Sequence, residues 1–155
     1  MKKAALYTLN LLFLSLSLIS CSVEPKPVPY GEANCTHCNM TISDNRYGAE
    51  LVTDKGKVFY FDAVECLAAY VAGQPEVSEK ASFLMVTDYN NPNNLVDAKN
   101  AFFLQSEAMP SPMGMNLTAL ADELAAKQLE QKHGGKVLTW DQVLSAVKND
   151  AKFQY

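Results

Sequence analysis

An apolar run from Ala4 to Leu18 follows Lys2 and Lys3 and ends in Leu18-Ile19-Ser20-Cys21. No other feature constrains the fold as much, because it decides where the rest of the chain folds and what holds its N-terminus. The run is too short and too one-sidedly flanked for a transmembrane helix, and it fits a secretory signal over residues 1–20. Its end resembles a bacterial lipobox, with leucine three places before the cysteine and a small residue directly before it. Cleavage there leaves Cys21 lipidated, and several acyl chains on one residue anchor a protein stably where a single chain does not. Ser22, in place of aspartate, leans towards the outer rather than the inner membrane. The expected location is the cell envelope, lipid-anchored on the periplasmic side.

About 135 of the 155 residues then remain to fold, enough for one compact domain or two small modules sharing a core. Without Lys2 and Lys3 the 13 basic residues fall to 11 against 17 acidic, a net charge of −6. No basic patch stands out, so nucleic acid is not an expected partner. Residues 21–33 carry Pro25, Pro27 and Pro29 at alternate positions, which favours extended polyproline geometry and predicts a lipidated, flexible Pro-rich tether.

The folded part is expected to start near Asn34. "YGAELVT" and "KVFYF" are rich in strand formers and are separated by "DKG", a hairpin signal. Asp62 and Glu65 have the spacing of a capping box, and Ala63, Cys66, Leu67, Tyr70 and Val71 share a helical face. "SFLMVTDY" reads as a third strand and "NNPNN" as a polar turn, which bounds a first ββαβ module at 34–90. In a second module, 91–155, "AFFLQ" predicts a strand and "SEAMPSPMGMN" an irregular loop. "LTALADELAAKQLEQKH" predicts a helix from the spacing of Leu117, Leu120 and Leu124, "KVLTW" a strand, and "DQVLSAVKN" a helix capped by Asp141. The order predicts an α+β fold of two small modules behind the tether.

Consumption of Cys21 by lipid leaves Cys35, Cys38 and Cys66, an odd number that cannot pair fully within one chain. Cys66 reads either as a small buried hydrophobe or as a thiol near a helix start, where the dipole favours thiolate. Cys35 and Cys38 lie in "NCTHCNM". A thioredoxin-like pair needs a helix beginning at the cysteines, and "MTISDNRYGAE" has no helical period. A closed zinc site needs four ligands, and beyond the pair only Cys66, His37 and the distant His133 are at hand. A structural Cys35–Cys38 disulfide suits an oxidising compartment but leaves Met40 without a role. Thiolate plus thioether suits Cu(I), and in an extended segment Cys38 and Met40 point to one side. Met109, Met113 and Met115 crowd a Pro/Gly loop with little apolar sequence around it, a further possible source of soft ligands.

The segments "CNMTISDNRYGAELVTDKGKVFYFDAVECL", "NLVDAKNAFFL", "PSPMGMNLTAL" and "KHGGKVLTWDQVL" resemble, in that order, the NosL family of lipoprotein copper chaperones. The resemblance implies a pair of ββαβ modules related to those of organomercurial lyase. It implies a Cu(I) carrier rather than an enzyme, handing copper to the machinery that assembles the copper–sulfide centre of nitrous oxide reductase in denitrification. The partner so implied is a NosD-type periplasmic protein of an ABC transporter complex. Carried over by residue, the family's ligands fall on Cys38, Met40 and Met113. Cys35 joins them as a metal candidate, with Met115, Met109, Cys66 and His37 as secondary ones. Two other classes stay open: a thiol-dependent envelope enzyme or redox protein using Cys35 and Cys38, and an interaction module with a structural disulfide. No carboxylate or other acid–base partner can be placed beside either cysteine from the sequence, which weighs against the enzyme.

Overall fold

The computed structural model describes residues 23–153; the signal segment and Cys21, the expected lipidation site, lie outside the described residues. The fold is α+β. Its elements are β1 (Ala49–Thr53), β2 (Val58–Phe61), α1 (Val64–Gly73), a single helical turn α2 (Pro75–Ser78), β3 (Ala81–Asp88) and β4 (Asn91–Asp97). There follow β5 (Phe102–Gln105), β6 (Leu117–Leu120), α3 (Glu123–His133), β7 (Lys136–Leu138), α4 (Trp140–Asn149) and a closing 3-10 turn (Ala151–Phe153).

The first hairpin forms where "DKG" predicts it. Ala49 opposes Phe61 and Val52 opposes Val58, and Gly56 takes φ +77°, a left-handed conformation that favours glycine. β1 also pairs antiparallel with β3, giving a four-stranded sheet in the order β2-β1-β3-β4. β4 corrects the reading of "NNPNN" as a turn between modules. The chain turns at Tyr89 and Asn90, and residues 91–97 pair with β3 as an edge strand. An edge strand tolerates Pro92 because only one side of it is hydrogen-bonded.

The second sheet is β6-β5-β7, again antiparallel. Here Leu117–Leu120 is a strand rather than the start of a helix, with Phe102 opposite Leu120 and Gln105 opposite Leu117. All four of its residues are buried, so both faces are covered and no helical stripe is needed. The helix begins after Asp122, whose carboxylate accepts from the Ala125 N–H at 2.8 Å, and this leaves Leu124 68% exposed. The last helix starts at Trp140, capped by Thr139 and Gln142 rather than by Asp141. Trp140 packs on Phe103 with ring centroids 5.9 Å apart.

The two ββαβ halves share one core. Leu51, Phe61, Leu67 and Val86 from the first half pack with Phe103, Leu117, Trp140 and Val147 from the second. Helix α1 lies between them, touching β1 and β2 on one side and β6 and α4 on the other. Residues 64–69 of that helix are all buried. Ala63, not Asp62, holds the N-cap position, and no side chain caps the helix. The capping-box reading of Asp62 and Glu65 is therefore corrected, and both carboxylates are used elsewhere.

The tether also folds back further than its prolines suggest. The Lys26 N–H donates to both oxygens of the Glu50 carboxylate, at 3.0 and 3.2 Å, and Val28 is buried. The Tyr30 hydroxyl shares a hydrogen bond with Thr87 Oγ1 at 3.0 Å, in a space kept open by Gly48, where a Cβ would overlap the phenol. Residues 26–33 thus belong to the domain. Burial in mid-β1 pushes the Glu50 carboxyl up to about 7, with the Lys26 N–H opposing the shift. A raised carboxyl contributes stability below its ordinary pKa of 4.5 that is lost as pH rises through about 7. Denaturation midpoints should fall across that window in the parent. Glu50→Gln, which keeps an acceptor for Lys26, should flatten the profile.

Candidate metal centre

The CxxC loop is a closed turn rather than the extended segment expected. A bridge between Asn34 and Thr41 closes its base, the Cys35 N–H donates to the Met40 carbonyl at 2.8 Å, and Asn39 adopts φ +62°. Asparagine is among the few non-glycine residues that visit this region readily. The turn separates Cys38 from Met40: the first is half-buried, the second 46% exposed. The Thr36 N–H donates to the Tyr60 carbonyl at 2.8 Å, sewing the loop to the end of β2. β2 leads directly through Asp62 into α1, so the loop covers the start of that helix.

Four ligand atoms meet there. One sulfur each from Cys35, Cys38 and Cys66 and one oxygen of Asp62 all lie within 4.8 Å of one another. All three cysteines are free thiols. Cys35, Cys66 and Asp62 are buried, and Cys38 forms the more open edge. The Cys66 thiol donates to Cys35, and the N–H groups of Cys38 and Asp62 add to it, holding Cys35 down at about 7 against the opposing effect of burial. The same bond to Cys35, together with burial, pushes the Cys66 thiol far up. Burial pushes Cys38 up to about 11, partly opposed by the Met40 N–H. Its S–H donates to Asp62 Oδ1 at 3.6 Å. The second Asp62 oxygen, Oδ2, is buried with no hydrogen-bond partner among the described residues.

The other predicted candidates sit apart from this cluster or serve the core. His37 stacks on Phe153 with centroids 6.4 Å apart and is not one of the four clustered groups. Met109 packs with Leu104, Leu120 and Ala126, and Met115 is part of the main core. Both are buried, which corrects the reading of the loop as short of apolar packing. Met113 is half-buried against the core cluster on which Cys38 also packs. Its loop is tied to α1 by Ser111, whose hydroxyl donates to the buried Glu65 carboxyl and accepts from the Asn116 N–H at 2.9 Å. Burial pushes the Glu65 carboxyl up.

Sequence reasoning missed Asp62. Its one signal was its place four residues before Cys66, immediately ahead of the helix N-cap Ala63. The cluster offers two thiols and a readily formed thiolate beside a carboxylate, a donor set for a soft or borderline d10 cation. Cys38 is the opposite of an activated nucleophile, since its thiol is held protonated, while Cys35 is only 2% exposed.

A two-sheet α+β domain that gathers three thiols in one largely buried pocket defines a protein built to present soft donors. The chain belongs to the NosL family, whose model matches residues 28–147. It is similar to the copper-binding lipoprotein NosL of Stutzerimonas stutzeri, with 26% identity over 159 residues covering 93% of this chain and 83% of the relative. Its fold matches the crystal structure of the copper chaperone NosL from Shewanella denitrificans with a TM-score of 0.66. That match has 20% sequence identity and covers 78% of this chain and 96% of that one. Both relatives are named for copper and neither as an enzyme.

The thiol ladder has a direct consequence. Removing the Cys66 donor should raise the Cys35 pKa from about 7 towards the ordinary thiol value of 9.0. A pH titration of ultraviolet thiolate absorbance on the parent and on Cys66→Ala checks it, with the first ionisation moving to higher pH in the variant.

Proposed function

We propose that this chain is a lipid-anchored carrier of Cu(I) that binds the ion through the sulfurs of Cys35, Cys38 and Cys66. The observation that carries this reading is the convergence of three thiol sulfurs from two distant stretches of sequence on one point. Thiolate donors are soft, and Cu(I) is the soft ion of the first transition row. The naming of a relative as a copper-binding lipoprotein supports both the metal and the anchor at Cys21. No helix among the described residues is long and apolar enough to cross a membrane, which is consistent with attachment through lipid. The recipient, on this reading, is the machinery that assembles the copper–sulfide centre of nitrous oxide reductase, contacted through a NosD-type periplasmic protein.

A carrier must also release its cargo. Burial rises along the loop, from Met40 at 46% exposed, through half-buried Cys38, to Cys35 at 2%, and is complete at Cys66 on the helix beneath, at 0%. Met40 is placed to be the first donor that an incoming or departing ion meets. Transfer then runs by ligand exchange at that open edge, with the metal keeping its oxidation state. Met113 is retained as an ancillary thioether, supported by the resemblance of its segment to the family.

Titration of the reduced chain in detergent with Cu(I), against a competing chelator, tests the reading; absence of tight binding would overturn it. Cys66→Ala should lower stability by only about 1 kcal/mol, from a small lost contact area. It should weaken Cu(I) binding by roughly 100-fold, the scale on which metal sites respond to loss of supporting groups. Met113→Leu should weaken binding less than any cysteine substitution, because a neutral thioether contributes softness without charge. Equal losses for Met113→Leu and Cys66→Ala would move the site towards the methionine loop.

A further inference from the structure

The three sulfurs account for a Cu(I) site, and they leave Asp62 unexplained. Its carboxylate is 3% exposed and reaches the cluster with one oxygen, where it meets the thiols of Cys38, at 3.6 Å, and Cys66. Its other oxygen is buried without a partner. A carboxylate oxygen in that state is disfavoured unless something positively charged completes it. The ion pairs Arg46–Asp44 and Lys127–Glu123 leave it out.

We infer that the pocket is also a site for a divalent d10 cation of the Zn(II) or Cd(II) class, held by Cys35, Cys38, Cys66 and Asp62. Zn(II) takes four ligands in a tetrahedron and accepts both thiolate and carboxylate, whereas Cu(I) prefers sulfur alone. The geometry fits. Metal–sulfur bonds of about 2.3 Å put tetrahedral ligand atoms roughly 3.8 Å apart. The four atoms here already lie within 4.8 Å of one another, so no pair need close by more than about 1 Å to reach that spacing. As the ion enters, the protons held by the three cysteine thiols leave to water, metal–ligand bonds replace the S–H bonds, and no electron moves. Backbone N–H groups that already point at Cys35 and Cys38 offset the negative charge of the loaded cluster. Asp62 is then the residue that decides which d10 ions the pocket retains: three sulfurs without it, three sulfurs and an oxygen with it.

This inference shares its sulfurs with the Cu(I) reading, and Asp62 separates the two experimentally. The reduced full chain in detergent is loaded with 113Cd(II) alone and its NMR shift recorded. A single resonance characteristic of three sulfurs and one oxygen is expected; an all-sulfur or an oxygen-rich shift overturns the site. Cadmium and copper affinities are then measured by chelator competition on the parent and on Asp62→Asn, which keeps the shape and removes the charge. Cd(II) binding should fall at least ~100-fold while Cu(I) binding changes less than ~3-fold. Equal losses for both ions, or no loss for either, overturn the role of Asp62. Retained Cu(I) binding shows that the variant is folded, and should it fail to fold, the shift on the parent decides alone. A chain that binds Cd(II) but not Cu(I) contradicts the copper reading and leaves this one standing.

Discussion

Helix α1 has no face left for water over its first two turns. Val64 to Ala69 are all buried, because one sheet packs on one side of the helix and the second sheet with α4 on the other. Every polar group carried on that stretch must therefore be satisfied inside the protein. Glu65 meets this with one oxygen, which accepts from Ser111 and so fixes the methionine loop, while its other oxygen is buried without a partner among the described residues. Cys66 meets it by donating to Cys35, which fixes the CxxC loop over the helix start. Two loops far apart in sequence are thereby positioned by adjacent residues of one helix. The cluster of three thiols and a carboxylate is a by-product of how α1 is buried.

The same constraint explains what could be read from the chain and what could not. The β1–β2 hairpin was legible because "DKG" is local chemistry, a turn that only a few residue types make. The strand–strand–helix–strand order of the first half and the α+β class followed from similar local signals, while the ββαβ order of the second half came only with the family resemblance. Leu117–Leu120 was misread because three leucines at helical spacing match a helix and a doubly buried strand equally well over so short a stretch. Asp62 and Glu65 imitate a capping box in sequence, but the CxxC loop takes up Asp62 and Ser111 of the second half takes up Glu65. Met109 and Met115 looked exposed because their neighbours in sequence are Pro, Gly and Ser. Their neighbours in space are Leu104, Leu120 and the main core.

Within the site, Cys35, Cys38 and Met40 were visible as a motif, and the family resemblance selected Cys38 and Met40 from it. Bringing Cys66 in from 28 residues further on requires the hydrogen bond between Thr36 and Tyr60, which no local pattern announces. The result is a thiol cluster more open at Cys38 and closed at Cys66, with Met40 exposed on the turn beyond it. The hydrogen bonds that hold Cys35 near neutrality let it offer a thiolate without an external base.

X-ray absorption of the Cu(I)-loaded chain, recorded on the parent and on Cys66→Ala, tests the central claim most directly. Three sulfur scatterers per copper in the parent, with one lost in the variant, is the result this account predicts. A sulfur number that does not change when Cys66 is removed would contradict it, and would place the copper on the loop methionines and Cys38 without the buried helix.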